Sequence, residues 1–414
     1  MPDKESSVGL KRTLTLPLLT LYGVGVTVGA GIYVLTGTVI GVAGVLAPIS
    51  FLLSAFLAGL SALSFSELAV RLPHAAGEAR YVREGLRSSS LALIVGLVVV
   101  ASGTISSAAI VQGFTGYVRV LVDVPAAALV VLVVVLLAGL AIWGIRQAVL
   151  VASVFTVIEV AGLLLVIWVA RGSLGNLDAW IGSLSSEVSF TVLPLVASGT
   201  VLAFFAFIGF EDMVNVVEEV RDVDRTMPRA IILTLVITTL LYVVVSLVTL
   251  LGMPPDALTR SAAPLADLYA QSTGRSSLPI VIIGILAIIN GALIQIIMGA
   301  RVLYGLAKQG NLPSVFGNVH PRFRTPVAAT CLVAGLVATG ALLLPLETLA
   351  RLASIFILTV FVLVNFSLIT IKRRDNEEAY LGFSVPIWVP VLGAVVSAGL
   401  VVFQLLEFAG LAGI

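Results

Sequence analysis

The chain has 414 residues, 59% of them hydrophobic and 11% charged, with a formal net charge of +1. A water-soluble domain carries roughly 25% charged residues, so this composition excludes a soluble fold, and the balanced charge offers nothing to a nucleic-acid partner. A single cysteine, Cys331, excludes an intrachain disulfide, and the sequence holds no cluster of metal-ligating residues.

The first residues, MPDKESSVGLKRTLTLP, are polar and run into a long apolar stretch without a small-residue cleavage site. A removed leader is therefore not expected. A crossing helix needs about 20 mostly apolar residues. Eleven segments qualify: 15–40, 45–70, 91–119, 125–145, 148–170, 191–217, 230–251, 279–305, 326–345, 348–371 and 385–407. Hydrocarbon demands internal backbone hydrogen bonding, which predicts helices. A β-barrel would show short alternating segments instead. The connections are short, so 1–414 is read as one membrane domain. The longest are 171–190 and 252–278, and APLADLYAQ in the second predicts a short covering helix. His74 and His320 both fall in polar loops, which excludes histidine-based catalysis within the membrane.

Lysine and arginine give the orientation. With the N-terminus cytoplasmic, eighteen of the 23 basic residues fall inside. Only Arg119, Arg171, Arg260, Arg275 and Arg351 fall outside. One miscounted crossing would scramble the later loops, so the bias also supports eleven.

The first segment contains GVGVTVGAGIYVLTG, residues 23–37, with five glycines. Glycine costs a helix about 1 kcal/mol relative to alanine. The sixth contains FFAFIGFEDMVNVVEEV, residues 204–220, where Gly209 is followed by Glu211 and Asp212. An acid at mid-span costs about 2.5–3.5 kcal/mol and needs a cavity or a partner. Two interrupted segments five crossings apart, entered from opposite sides, are the pattern of an inverted repeat with a site where the breaks meet. The repeats are read as 15–170 and 191–371, with 385–407 as an added helix. An unwound stretch frees backbone groups. Half-helix N-termini attract a carboxylate and freed carbonyls accept from an ammonium. Together they suit the zwitterionic head of an amino acid. Glycines spaced as Gly25 to Gly29 and Gly37 to Gly41 also serve close helix packing, and for the first segment alone both readings stand.

These residues resemble a known family. GVGVTVGAGIYVLTG, FFAFIGFEDMVNVVEEVRDVDRTMPRAI, SFSELAVRLPHAAGEARYVREGL, NGALIQIIMGARVLYGLAKQGNLPSVFGNVHPRFRTP and the KRRD after the tenth segment are similar to amino-acid permeases of the amino acid–polyamine–organocation superfamily. The cationic-amino-acid-transporter-like branch lies nearest, and the resemblance runs over nearly the whole chain. Many members have twelve helices where eleven are read here, and GEAR and GAR differ from the more usual GGxY and SR. The resemblance implies an all-α five-plus-five transporter that moves an amino acid by alternating access. It implies that the amides of Gly29, Ala30, Gly31 and Ile32 hold the substrate carboxylate. The carbonyls of Thr27, Phe205 and Ile208 would hold its ammonium, with Phe205 as an aromatic gate.

Glu159 stands in the fifth segment, SVFTVIEVAGLLLVIWV, where several proton-coupled relatives carry a lysine. A carboxyl group in low dielectric takes a proton rather than keep an unpaired charge, so Glu159 is the expected proton carrier. Glu211 is a second candidate, or a brace for the break. Asp212 favours cationic substrates if it faces the cavity. Ser106 and Asn290 are further substrate candidates. Ser107, Gln112, Gln295, Ser354, Thr359 and Asn365 are weaker ones, because lone polar residues in helices tend to bond their own backbone. Glu67, Glu218 and Glu219 fall near the inner boundary, as solvated charges or as an inner-gate ion pair with Arg71, Arg80 or Arg83.

The expected function is proton-coupled symport of an L-amino acid across the cell membrane. The expected partners are the amino acid, protons and the lipid bilayer. An obligate exchanger of amino acids or polyamines and a transport-dead amino-acid sensor are the alternatives. No cofactor, metal or enzymatic activity is expected, and no repeated filter sequence supports a channel.

Overall fold

Each apolar segment of the sequence forms helix, as backbone groups in hydrocarbon require. The computed structural model describes residues 12, 14–73, 77–143, 145–187, 192–323, 325–375 and 380–410; of Ala30, 145–153 and 185–187 only the backbone is described. Lys4, Lys11, His74 and Arg324 lie outside the described residues, as does the side chain of Arg146.

The helices are α1 (Leu16–Thr27), α2 (Ala30–Ala43), α3 (Ala47–Arg71), α4 (Gly77–Leu86), α5 (Ser89–Arg119), α6 (Ala126–Trp143), α7 (Ile145–Ala170) and α8 (Leu177–Glu187). They continue as α9 (Leu193–Phe204), α10 (Val223–Gly252), α11 (Pro255–Arg260), α12 (Pro264–Thr273), α13 (Leu278–Lys308), α14 (Val327–Leu343), α15 (Leu346–Arg374) and α16 (Trp388–Phe408). Among the described residues, nine helical stretches are long and apolar enough to cross a membrane, and α1 and α14 are shorter apolar helices. One of the nine, Gly31–Arg71, turns at Gly44 into α2 and α3. The eleven predicted segments therefore all appear. The covering helix expected at APLADLYAQ is α12.

Several helices outrun their predicted ends. α10 begins at Val223, α13 runs to Lys308 and α15 to Arg374. Apolarity marks contact with hydrocarbon, whereas helical hydrogen bonding continues into the polar boundary until a breaker intervenes.

The first and sixth crossings are each interrupted. α1 stops at Thr27 and α2 starts at Ala30, leaving Val28 and Gly29 outside both. α9 is followed by a tight 3-10 turn over Phe205–Phe207, extended Ile208, and Gly209 at φ +128°. Residues Phe210–Glu219 then continue as 3-10 helix. Such runs rarely exceed three or four residues, and a long one inside a helix marks a hinge or a sequence under strain. At its end Val220 pairs with Leu14: Leu14 N–H donates to Glu219 O at 2.9 Å and Arg221 N–H to Leu14 O at 3.0 Å. The start of the first crossing is thereby strapped to the end of the sixth.

The surrounding helices form a rigid cradle. α13 packs along α5, α10 along α3, and α15 against α5 and α16. Phe361 of α15 receives Phe65, Phe204 and Phe210 edge-on at 5.3, 5.8 and 5.4 Å, which fixes the back of the sixth crossing. At the basic end of the bundle, fully buried Glu67 accepts from Lys372 Nζ at 2.7 Å, from Arg71 and from the Val385 amide. It joins α3, α15 and the approach to α16. At the opposite end Arg351 of α15 reaches Glu347, Ser198 of α9 and Glu407 of α16.

Candidate functional site

The two breaks meet. A Cβ at Gly31 would stand 2.7 Å from Ala206 Cα, and one at Gly209 would stand 2.5 Å from the Val26 carbonyl oxygen. Only glycine permits either approach, and Gly209 also holds a positive φ that other residues rarely adopt. The packing reading applies to other glycines of the first crossing. Gly25 lies against Thr156, Gly37 against Leu258 and Pro264, and Gly41 against Thr259.

A narrow cavity of about 30 Å³ opens where the breaks meet. The first crossing contributes Val26, Thr27, Gly29 and Gly31, and the sixth contributes Phe205, Ala206 and Ile208. α5 adds Ser106 and Ile110, and α13 adds Gly291, Ile294 and Gln295. The volume suffices for a couple of waters. The first-turn amides of α2 at Ala30, Gly31 and Ile32 lack intrahelical acceptors by helix geometry and carry the positive end of its dipole.

The expected substrate residues are distributed unevenly around it. Thr27, Gly29, Gly31, Ser106, Phe205 and Ile208 lie on the wall. Ala30 opens α2, and its side chain lies outside the described residues. Ile32 is fully buried and off the wall. Asn290 is also off the wall, with its amide donating to Glu159 Oε1 at 3.1 Å. Some expected backbone ligands are already engaged. Gly29 N–H donates to Thr27 O at 3.0 Å, and Ile208 N–H to Phe205 O at 3.3 Å.

The sequence alone does not single out three tyrosines. Tyr242 of α10 points its hydroxyl at Thr27 O, 2.8 Å, and Ala206 O, 2.9 Å. One phenolic proton is shared between a freed carbonyl of each break. Tyr33 of α2 donates to the backbone oxygen of Glu159 at 2.6 Å, and Tyr117 of α5 donates to Tyr33 O at 2.8 Å. A tyrosine inside an apolar helix needs a partner for its hydroxyl. That was the available signal, though the partner could not be named from it.

Glu159 is fully buried in α7. Its Oε1 accepts from Asn290, while its Oε2 and the Asn290 Oδ1 have no hydrogen-bond partner. Two acceptors without a donor in one buried pair leave a place for one proton: a protonated carboxyl becomes a donor. Glu211 is arranged differently. Its Oε2 accepts from Gly209 N–H at 2.9 Å, so it braces the break from within. Asp212 is buried beside it, away from the cavity wall, with Oδ2 unpartnered. Glu78 lies on α4, outside the crossings, and is pushed up to about 8. Burial is the main cause, partly offset by its own backbone N–H, and nearby Asp212 adds to it.

Of the weaker polar candidates, Gln295 lies on the wall and the others are bonded elsewhere. Ser107 donates to Ala292 O, Gln112 to Ala341 O, Ser354 to Val201 O and Thr359 to its own helix at Ile355 O. Asn365 ties α15 to Ser61 and Ser64 of α3. Glu67 is a buried anchor, as its contacts with Lys372 and Arg71 show. Arg80 pairs instead with Glu84 of its own helix.

A family model described as amino acid permease matches residues 14–411. A vacuolar cationic amino acid transporter of Arabidopsis thaliana is 30% identical over 404 residues, covering 91% of this chain and 62% of its own length. A methylthioribose transporter of Bacillus subtilis is 28% identical over 434 residues, covering 98% and 90%. A branched-chain amino acid permease of the same bacterium is 28% identical over 411 residues, covering 91% and 85%. The chain thus spans less than two thirds of the plant relative and most of the bacterial ones.

Proposed function

The chain belongs to the amino acid permease family, and on that premise we propose that it carries an L-amino acid across the cell membrane by alternating access, in symport with a proton. The carrying observation is the meeting of two helix breaks at one cavity, lined by Thr27, Gly29 and Gly31 of the first crossing and by Phe205, Ala206 and Ile208 of the sixth. Backbone reads what every amino acid shares. The first-turn amides of α2 take the carboxylate, and carbonyls of the breaks, Ile208 O among them, take the ammonium.

The proton is carried on Glu159 Oε2. Protonation turns that oxygen into a donor and satisfies an otherwise orphaned pair with Asn290. Glu159 is tied through its backbone oxygen to Tyr33 of α2, so its surroundings change when α2 moves. Glu211 holds the second break in shape. The membrane domain consists of two five-crossing halves, 15–170 and 191–371, followed by 385–407. Its N-terminus is cytoplasmic, as the basic residues favour. The family relatives carry names of transporters and permeases, which supports transport over an enzymatic role.

The test is uptake of labelled L-amino acids into proteoliposomes with an imposed pH gradient, acid outside. Accumulation that a protonophore abolishes is the expected result. Uptake that requires an amino acid preloaded inside, without regard to the gradient, would make the protein an exchanger. Binding without any flux would make it a sensor.

A further inference from the structure

Among the described residues, the cavity wall carries no ionisable side chain. Its polar side chains are Thr27, Ser106 and Gln295. Thr27 spends its hydroxyl on Gly23 O at 2.8 Å. Ser106 Oγ is buried, 2% of the residue being exposed, and has no partner. The apolar side chains of the wall are Val26, Ile110, Phe205, Ala206, Ile208 and Ile294.

The nearby carboxylates are all directed elsewhere. Glu159 faces Asn290, Glu211 caps Gly209 N–H, and Asp212 and Glu78 lie off the wall. From this we infer that the site selects amino acids with small, uncharged side chains, such as alanine, serine and threonine, and rejects arginine, lysine and glutamate. The inference rests on the transport reading above and deepens it.

The physical reason is desolvation. A guanidinium or ammonium on the substrate side chain would leave water for a wall of aliphatic side chains, one phenylalanine, glycine, hydroxyl and neutral amide without meeting a carboxylate. An unpaired buried charge costs far more than a hydroxyl that finds Ser106 or Gln295. The reading differs from that suggested by the name of the plant relative, which is a cationic amino acid transporter. It agrees with a wall on which the one acidic residue that could have favoured cations, Asp212, is absent.

The experiment is competition in proteoliposomes. Uptake of labelled alanine is challenged with each unlabelled L-amino acid in turn, and thermal stabilisation of the detergent-purified protein is recorded for the same set. Serine and threonine should compete with alanine. Arginine, lysine and glutamate should inhibit at least about a hundredfold more weakly, since each 1.4 kcal/mol is tenfold. Inhibition by arginine or lysine as strong as that by alanine overturns the inference and leaves amino-acid transport standing. Absence of uptake and stabilisation by every amino acid overturns both. Two variants test the assignment of the wall. Gln295→Glu places a carboxylate on it and should strengthen inhibition by arginine about tenfold or more. A Gln295→Glu protein that still carries alanine yet still excludes arginine would remove Gln295 from the side-chain subsite. Ser106→Ala should weaken serine relative to alanine by about fivefold to tenfold, one lost hydrogen bond, and unchanged selectivity would remove Ser106 likewise.

Discussion

Gly209 closes onto the backbone of Val26: a Cβ at 209 would stand 2.5 Å from the Val26 carbonyl oxygen. The second break therefore uses the first as its wall. Gly209→Ala meets two penalties, the contact itself and a φ of +128° that costs a non-glycine residue about 1–3 kcal/mol. The expected outcome is at least about a tenfold loss of uptake, together with a lower melting temperature. Wild-type uptake by this variant would show that the two breaks need not touch.

Tyr242 should matter through one atom. Its ring packs edge-on against Phe207 at 5.0 Å and Phe51 at 6.1 Å, contacts that phenylalanine would keep. Tyr242→Phe removes only the hydroxyl that lies between Thr27 O and Ala206 O. Thr27 O keeps the Gly29 N–H, and taking the hydroxyl from Ala206 O costs about 1–3 kcal/mol if that acceptor is left unpaired. The variant should fold, melt lower, and show a raised KM for its amino acid. Unchanged transport kinetics would argue that these carbonyls find another donor.

Glu159→Gln separates coupling from binding. Glutamine can still accept from the Asn290 amide, so the helices should stay in register. It cannot release a proton. Accumulation against a gradient driven by pH should vanish, while counterflow between equal pH compartments persists. Preserved proton-driven accumulation would move the coupling site elsewhere, and Glu211→Gln is the next variant to measure. Glutamine there can still accept from Gly209 N–H, so a loss of coupling would not be confused with a lost brace.

Glu78 predicts a pH dependence of stability. The folded chain holds its proton up to about pH 8, whereas an unperturbed carboxyl releases it near 4.5. Between these values the unfolded state binds fewer protons, so stability falls as pH rises and levels off above about 8. Glu78→Gln removes that slope. Its melting temperature should match wild type at about pH 5 and exceed it by several degrees at about pH 9. Parallel melting curves across this range would mean that α4 opens to water before the crossings unfold.

Much of the architecture was legible in the primary chain because hydrocarbon imposes a single rule on it. Twenty apolar residues must be helix, and the eleven segments appeared with errors only at their polar ends, as at Val223 and Arg374. The interruptions at residues 28–29 and 205–209 were legible for the related reason that glycine and acid are costly inside a span. Side-chain roles were less legible. Asn290 and Ser106 look equivalent in sequence, each a lone polar residue in an apolar helix. The structure places one beside Glu159 and the other on the cavity wall. Tyr242 and Glu67 gave weaker signals still, because a buried partner is chosen by which helices come together.

Sequence by itself determined a polytopic helical membrane chain, its crossings, and the two breaks. These follow from local composition, since each residue is tested against lipid and against its own helix. Tertiary structure alone decided which groups face the cavity. Helix rotation and packing turn Glu211 onto Gly209, leave Glu159 with Asn290, and keep Asp212 off the wall. A rotation of about 100° separates neighbouring residues on a helix, and nothing in the order of residues sets that angle before the helices meet.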